Sequence, residues 1–580
     1  MLYSELDSYF KLRFKELIDK RTPDSYRVRN HNALSILSEL CELIEGWQKR
    51  RIQMYETVSL CIEECISLLE KDLCLNFSFY NKDLFIANLK EYDKALPESK
   101  DKRESIFELS SNVKYAARKC IHDNTPTYIS SLFSLIQNEI AKPGDMDADG
   151  VYVKTMQKFD WAVSTLCTEL LRVGYSKNHL FLKAELLMKG SQNINSLVSD
   201  FVSPRKSDYS IVFKFTATDD VVACKDDYGF IDNVDDVKAL LQKPNGVIPF
   251  NSFLSSSNGI LFYKTQVQAF DTYAAIKKAK GNLDLLLDEL HLGIAVKDVA
   301  LDPKVVVFFP AAIGYYSYQR YHDYQLDGEY ENDYAMSIRL KNDVDRILGN
   351  PYVKSDVKER LKSALRHLRM ANDCSDIELR FINLWVALEF IFSSPISNEN
   401  TFLRIKKHLV NVLCFSYIKR NVTYLDKLLH ECGALADGQD LYSMNDAQWG
   451  SLINGVTDSR AQYRLCCMKS NLCASDKIKD YVKLHETNLQ QHLSRIYRMR
   501  NVLIHEAAIR QDIEGATSNL RFYLIFLLNQ MLSFFSKADD KMNLSINDFF
   551  HEYENGVKVI KAGTDRNFVL KVNYESNLIR

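Results

Sequence analysis

Residues 476–510, DKIKDYVKLHETNLQQHLSRIYRMRNVLIHEAAIR, decide the fold class of this chain. Leu489, Leu493, Ile496, Leu503, Ile504 and Ala507 recur mostly at three- and four-residue steps and their multiples, which on an α-helix draws one apolar stripe suited to a core. At about 100° per residue, Arg500 falls in the middle of that stripe. A permanent cation there needs a partner, because burying an unpaired guanidinium is costly. A carboxylate from Asp376, Glu378 or Glu389 on a neighbouring helix would serve, and so would an anionic ligand in a cleft. Tyr497, Asn501 and His505 fall four apart, so a polar ridge runs up the helix beside the stripe.

Working outward, residues 355–373, 376–393, 401–418 and 519–535 show the same three- and four-residue apolar spacing, interrupted by a loop-rich piece at 433–446. They predict a helical bundle over 351–540. Residues 557–560 and 568–572, separated by the turn-like Ala562-Gly563-Thr564-Asp565, predict a terminal β-hairpin in an extension over 541–580. Upstream, the chain to about residue 189 is a succession of amphipathic helices with a turn-rich break at 141–150, an α-helical lobe assigned to 1–200. The period then changes: SDYSIVFKF at 207–215 alternates, 260–270 and KVVVFF at 304–309 follow as strands, and DTYAAIKKAKGNLDLLLDEL at 271–290 is a helix. A mixed α/β segment is therefore expected over 201–350 in a mainly α protein.

The composition agrees. Of 580 residues, 46% are hydrophobic and 26% charged, so neither a disordered tail nor a coiled-coil rod accounts for most of the chain. A net charge of −2 gives no global positive field, so nucleic-acid binding must come from a local patch. The thirteen cysteines are scattered, and the opening MLYSELDSYFKLRFKELIDKR lacks the layout of a secretory signal, which leads us to expect reduced thiols and a cytoplasmic location. The most apolar windows, 305–309 and 522–528, fall short of the roughly 18–20 residues that cross a bilayer, so no membrane partner is expected.

Phosphate-loop, nucleophile-elbow, zinc-helix and dinucleotide fingerprints are absent. The run Asp145-Met146-Asp147-Ala148-Asp149-Gly150 copies the opening of a calcium loop, but its twelfth position is Met156 instead of a bidentate Glu. Cys61 with Cys65, and Cys466, Cys467 and Cys473, lack zinc spacing and are expected as buried small side chains. No metal or cofactor is expected. Tyr315, Tyr316, Tyr318, Tyr321, Tyr324, Tyr330 and Tyr334, with Arg320 and His322, could stack bases; packing against the adjacent strands is the expected use.

Arginine and histidine together suffice for metal-free RNA cleavage. An imidazole near neutral pKa exchanges a proton with a ribose hydroxyl, a guanidinium holds the oxygens of a charge-developing phosphate, and Asn501 can orient either group. The five-residue step puts Arg500 and His505 about 140° apart on a straight helix, so two copies facing across a two-fold axis make the better site.

Arg500-Asn501-x3-His505, on a late helix of a helical bundle, resembles the R-N-x3-H signature of the HEPN superfamily. The helix LRFINLWVALEFIFS at 379–393, with Trp385, Ala387, Leu388 and Glu389, resembles the W-x-A-L-E helix of ApeA-like HEPN proteins, and residues 267–290 resemble the region preceding the bundle in large members of that group. The resemblance spans roughly 260–536; the amino-terminal lobe matches no named domain. It implies an HEPN-like bundle and a metal-independent endoribonuclease that cuts cellular RNA, tRNA being one candidate, and leaves a 2′,3′-cyclic phosphate as an anti-phage abortive-infection effector. Arg500 and His505 would be catalytic with Asn501 between them, Arg495, Tyr497 and Arg498 would contact the RNA, the protein would be a homodimer through the bundle, and a phage-derived trigger or regulatory partner would release it. Arg118 to His122 is too short a spacing for a second motif. The alternative is a non-catalytic scaffold binding a protein or nucleic acid, in which Arg500 is a structural ion pair with Glu389.

Overall fold

A computed structural model describes residues 3–19, 31–77, 81–97, 99, 102–141, 153–241, 251–254, 259–292, 299–309, 315–320, 334–374, 376–393, 399–506, 513–540 and 542–572. The chain packs as two units, Leu166–Gln325 and the remainder, Met1–Thr165 with Leu326–Arg580. The amino-terminal helices are α1 (Tyr3–Ile18), α2 (Ala33–Gln48), α3 (Tyr55–Lys71), α4 (Lys82–Ala95), α5 (Phe107–Asn124), α6 (Tyr128–Ala141) and α7 (Val153–Val173), and the unit boundary falls inside α7. Asn32 starts α2 with a capping box: its side chain accepts from Ser35 N, and the Ser35 hydroxyl accepts from Asn32 N. Helices α2 to α5 then close around a core of their own built on Leu37, Leu40, Ile44, Trp47, Ile62, Leu89 and Val113.

In the Leu166–Gln325 unit, α8 (Lys177–Met188) and α9 (Ile194–Phe201) lead into strands β1 (Ser207–Ala217), β2 (Ile260–Ala269), β3 (Val299–Phe309) and β4 (Tyr315–Arg320). Between the strands lie α10 (Asp219–Ala223), α11 (Val234–Leu241), α12 (Asn251–Leu254) and α13 (Thr272–Leu290). The sheet is antiparallel in the order β2-β1-β3-β4, with Phe213 of the central strand opposite Tyr263 and Val305. The strand read at 207–215 is present, but it is not half-buried as the alternation predicts: Tyr209 to Phe215 are all buried because both faces are covered, Ile211, Phe213, Val305 and Val307 meeting Ala275, Ile276, Ala279 and Leu283 of α13, and Val212 and Val306 meeting Val237 and Phe253. Asp271 caps α13 by accepting from Tyr273 N and Ala274 N and also accepts from Ser176 N and Oγ ahead of α8. The backbones of Tyr315, Tyr316, Tyr318 and Arg320 form β4, but the side chains of the tyrosine cluster, His322 and the run 145–150 lie outside the described residues.

The carboxy-terminal bundle comprises α14 (Tyr334–Gly349), α15 (Ser355–Asp373), α16 (Ile377–Phe392), α17 (Thr401–Phe415), α18 (Tyr417–Glu431), α19 (Asp446–Gly455), α20 (Ser459–Leu472), α21 (Ser475–Glu506), α22 (Ile513–Phe535), α23 (Ile546–Ala562) and α24 (Arg566–Lys571). Trp385, Leu388, Ile405, Leu409, Leu493, Ile496, Leu524, Leu528 and Phe549 belong to one continuous core. The terminal β-hairpin expected over 557–572 is instead α23 and α24. Val557 and Ile560 are buried one helical turn apart together with Phe549, Phe550 and Tyr553, so the 3.6-residue period of the whole segment prevails over the β-propensity of its last residues. Ser545 and Asp548 form a capping box at the start of α23, Gly563 at φ 111° ends it, and Asp565 accepts from Phe568 N to start α24.

The amino-terminal helices and the bundle, expected as separate lobes, pack in one unit, with ion pairs and the edge-on rings of Tyr9 and Tyr463 between them. Glu16 of α1, its side chain 1% exposed, accepts from Arg13 (2.9 Å), from Arg464 of α20 (2.8 Å) and from Tyr424 of α18 (2.6 Å), with Arg460 at 3.7 Å. Arg13 donates its Nε–H to Asp160 at 2.6 Å. No helix among the described residues is long and apolar enough to cross a membrane.

His408 of α17 is buried with its ring stacked on Phe550 at 4.4 Å. Burial, reinforced by Lys407, Arg404 and His551 and opposed by Glu554, lowers its pKa to about 4. The unfolded chain takes up this proton near pH 6.5 and the folded chain only near 4, so protonation favours unfolding and stability is lost as pH falls through that window. His408→Phe is expected to remove about 2 kcal/mol of that acid sensitivity, full linkage being discounted for residual solvent access. Denaturant melts of both proteins at pH 7.5 and 4.5 measure it, and an equal loss in both would show that His408 does not titrate this way.

Candidate active site on the long helix

The site is built on α21, whose buried apolar residues are Ile478, Val482, Leu489, Leu493, Ile496, Met499 and Leu503. The stripe read from the sequence is shifted at its carboxy-terminal end: Met499 points inward, Ile504 is 43% exposed, and Ala507 lies outside the described residues. Arg500 therefore sits at the edge of the apolar face. Its Nη2 is 3.5 Å from Glu389 Oε1 of α16, and its Nη1 donates to Asn501 Oδ1 at 3.1 Å. Of the three expected carboxylate partners, Glu389 is the one that pairs; Asp376 caps α16 by accepting from Leu379 N. Burial, with the nearby Asp376 charge, raises the Glu378 pKa.

The contact to Glu389 is loose for a guanidinium and a carboxylate, whose charge-assisted bonds run at about 2.7–2.9 Å. The Arg500 side chain keeps 22% of its exposure, and its Nε–H has no hydrogen-bond partner among the described residues. The cation has unused donors. Asn501 fixes one side of the fork and Glu389 another. The backbone of His505 belongs to the last turn of α21; its side chain lies outside the described residues.

Three residues expected to contact RNA are placed otherwise. Tyr497 stacks on Phe402 at 4.1 Å with the rings 7° apart and tilts against Trp385 at 5.8 Å. It is the edge of the bundle core, so the ridge through Tyr497, Asn501 and His505 loses its first member to packing. Arg495 donates Nε–H to Glu39 and Nη2–H to Glu64, both at 2.8 Å, and Arg498 pairs with the other Glu39 oxygen. Both arginines are held by α2 and α3. His31 Nε2 lies 2.6 Å from Glu39, bringing a third group to that carboxylate. Sequence reasoning missed Glu39 and Glu64. The available signal was that α2 is apolar around most of its circumference, from Ala33 and Leu34 to Gly46 and Trp47, so an acid on it had to meet a partner helix.

A second imidazole on α21, His492, also escaped the sequence reading. It is buried, with Nδ1 3.0 Å from Tyr523 Oη and Nε2 3.1 Å from Asn519 Nδ2; both ring nitrogens are occupied, which is a packing role. Among the described residues no group of three or more His, Cys, Asp or Glu side chains could hold a metal ion. Cys61 and Cys65 are buried as expected, and burial followed by the Cys65 hydrogen bond raises the Cys61 thiol pKa well above the ordinary value, whereas Cys466 and Cys467 are half-buried and Cys473 is exposed, contrary to expectation.

Two of the three segments that resemble HEPN proteins, those on α16 and α21, meet in space. Trp385, Ala387 and Leu388 of α16 are in the core and Glu389, the last residue of the same run, reaches Arg500. Replacing Tyr497 by Ala should therefore cost about 3 kcal/mol of stability through the cavity left between Phe402 and Trp385. A chemical-denaturation curve unchanged from wild type would return Tyr497 to the surface.

Scans of the chain against protein-family models, curated proteins and solved structures each find no match.

Proposed function

We propose that this chain is a metal-independent endoribonuclease of the HEPN type that cleaves cellular RNA, tRNA being one candidate, as an anti-phage abortive-infection effector in the cytoplasm. The observation that carries the reading is the state of Arg500: partly exposed, loosely held by Glu389 and oriented by Asn501. Arg495, by contrast, is held by two carboxylates at 2.8 Å.

In the proposed reaction the His505 imidazole takes the proton of a ribose 2′-hydroxyl, and the 2′-oxygen attacks the adjacent phosphorus. Arg500 meets the non-bridging oxygens as negative charge builds on them. The 5′-oxygen leaves as it takes up a proton returned by the imidazolium, giving a 2′,3′-cyclic phosphate and a 5′-hydroxyl end. Glu389 and Asn501 position the guanidinium. The angular offset between Arg500 and His505 favours a groove shared by two copies, and the exposed apolar residues Leu379 and Phe390 on α16 and Ile504 on α21 offer surface for such a dimer.

The Arg500–Glu389 pair favours the second reading, a non-catalytic helical scaffold for a protein or nucleic-acid partner, in which that pair holds α16 to α21. Arg500→Lys separates the two. Lysine can still meet one carboxylate but cannot grip two phosphate oxygens. The ribonuclease reading expects a protein that melts near wild type yet cleaves roughly 10²–10³-fold more slowly, and expects wild-type cleavage to persist in EDTA because the acid–base group is an imidazole. A lysine variant that cleaves RNA at close to the wild-type rate, or cleavage abolished by EDTA and restored by magnesium, would contradict it.

A further inference from the structure

Helices α2 to α5 have a hydrophobic core of their own, and no residue of it belongs to the core of the carboxy-terminal bundle. What ties this layer to α21 is charge: Glu39 and Glu64 against Arg495 and Arg498. Nearby, Lys406 of α17 follows the same pattern, its pKa lowered by burial and pulled back up by Glu56 and Glu63 of α3. In all three cases the amino-terminal helices supply the acid and the bundle supplies the base.

We propose that the α2–α5 layer is a detachable cap, and that its Glu39 and Glu64 carboxylates occupy on Arg495 and Arg498 the places that phosphodiester groups of single-stranded RNA take when the cap is displaced. The proposal rests on the ribonuclease reading for its substrate and adds its regulation. A carboxylate and a phosphate present the same paired oxygens to a guanidinium, so one can stand in for the other. Arg495 and Arg498 are three residues apart and so neighbours on the helix surface, a step comparable with that between successive phosphates of a strand. The four side chains keep only 10–16% of their exposure, so a strand cannot reach the arginines while the glutamates are in place. An interface held by charge, with separate cores on either side, opens at less cost than one that shares apolar packing and is weakened by salt.

The probe is a fluorescent single-stranded oligonucleotide with 2′-O-methyl riboses, which can bind but cannot be cut through its 2′-oxygen. Full-length Glu39→Gln/Glu64→Gln is expected to bind it at least about tenfold more tightly than wild type, with a salt slope steeper by about 1.4, two phosphate contacts at about 0.7 each. Adding Arg495→Gln/Arg498→Gln should remove the gain. A double-glutamine protein that melts cooperatively and binds with wild-type affinity and slope would overturn the cap. If that variant does not fold, hydrogen exchange on the wild type decides: the probe should speed exchange in α2 and α3, and unchanged protection contradicts the proposal. The two readings fail separately. Wild-type protein that cleaves RNA while the glutamine variant neither binds tighter nor cleaves faster removes the cap alone, whereas tighter binding with no cleavage by any variant removes the ribonuclease and leaves the cap.

Discussion

The amino-terminal helices and the bundle depend on carboxylates of one meeting arginines of the other out of water. Glu16 is the most buried case, with Arg13, Arg464 and Tyr424 all within 2.9 Å of its two oxygens. Such a cluster is neutral or mildly favourable when complete and costs about 3–5 kcal/mol when one partner is removed, because the remaining charges stay buried. It acts mainly by excluding other arrangements: α1 can sit against α18 and α20 in the one register that brings Glu16 to both arginines. The same logic, at lower burial, places α2 and α3 against α21 through Glu39 and Glu64.

This arrangement gives the three arginines of α21 different fates. Arg495 and Arg498 are saturated by two glutamates, while Arg500, on the far side of the helix, has one distant carboxylate, one neighbouring amide and a spare N–H. The helix is rigid there because Met499 and Leu503 anchor it in the core and Tyr497 is clamped by Phe402 and Trp385. A partly exposed, loosely paired guanidinium on a fixed backbone is prepared for an anion in a way that a flexible surface arginine is not.

The helical period made α16 and α21 legible, since each buries a stripe spaced by three and four residues, and the alternation at 207–215 made β1 legible although both its faces are covered. The Arg500–Glu389 pair was open to prediction because both helices were recognised and one face of each was known. The roles of Arg495 and Arg498 were not, because Glu39 and Glu64 lie 456 and 431 residues from Arg495 in sequence and local pattern carries no information about which distant helix a charge will meet. Tyr497 was misplaced for a related reason: tyrosine suits both a polar ridge and a core edge, and only the positions of Phe402 and Trp385 decide between them. The expected hairpin at 557–572 failed where two short β-rich runs flanking a Gly-containing turn were weighed without the helical spacing of Phe549, Phe550 and Tyr553 just before them.

Whether Arg500 serves chemistry is tested most directly by expressing wild type and Arg500→Ala/His505→Ala in bacteria and sequencing the cellular RNA ends. The account expects new 2′,3′-cyclic phosphate and 5′-hydroxyl ends at defined sites with the wild type, and none above background with the double variant. Identical RNA ends from the two proteins, both folded and equally abundant under conditions that stop growth only with the wild type, would contradict the ribonuclease and make Arg500–Glu389 a structural pair.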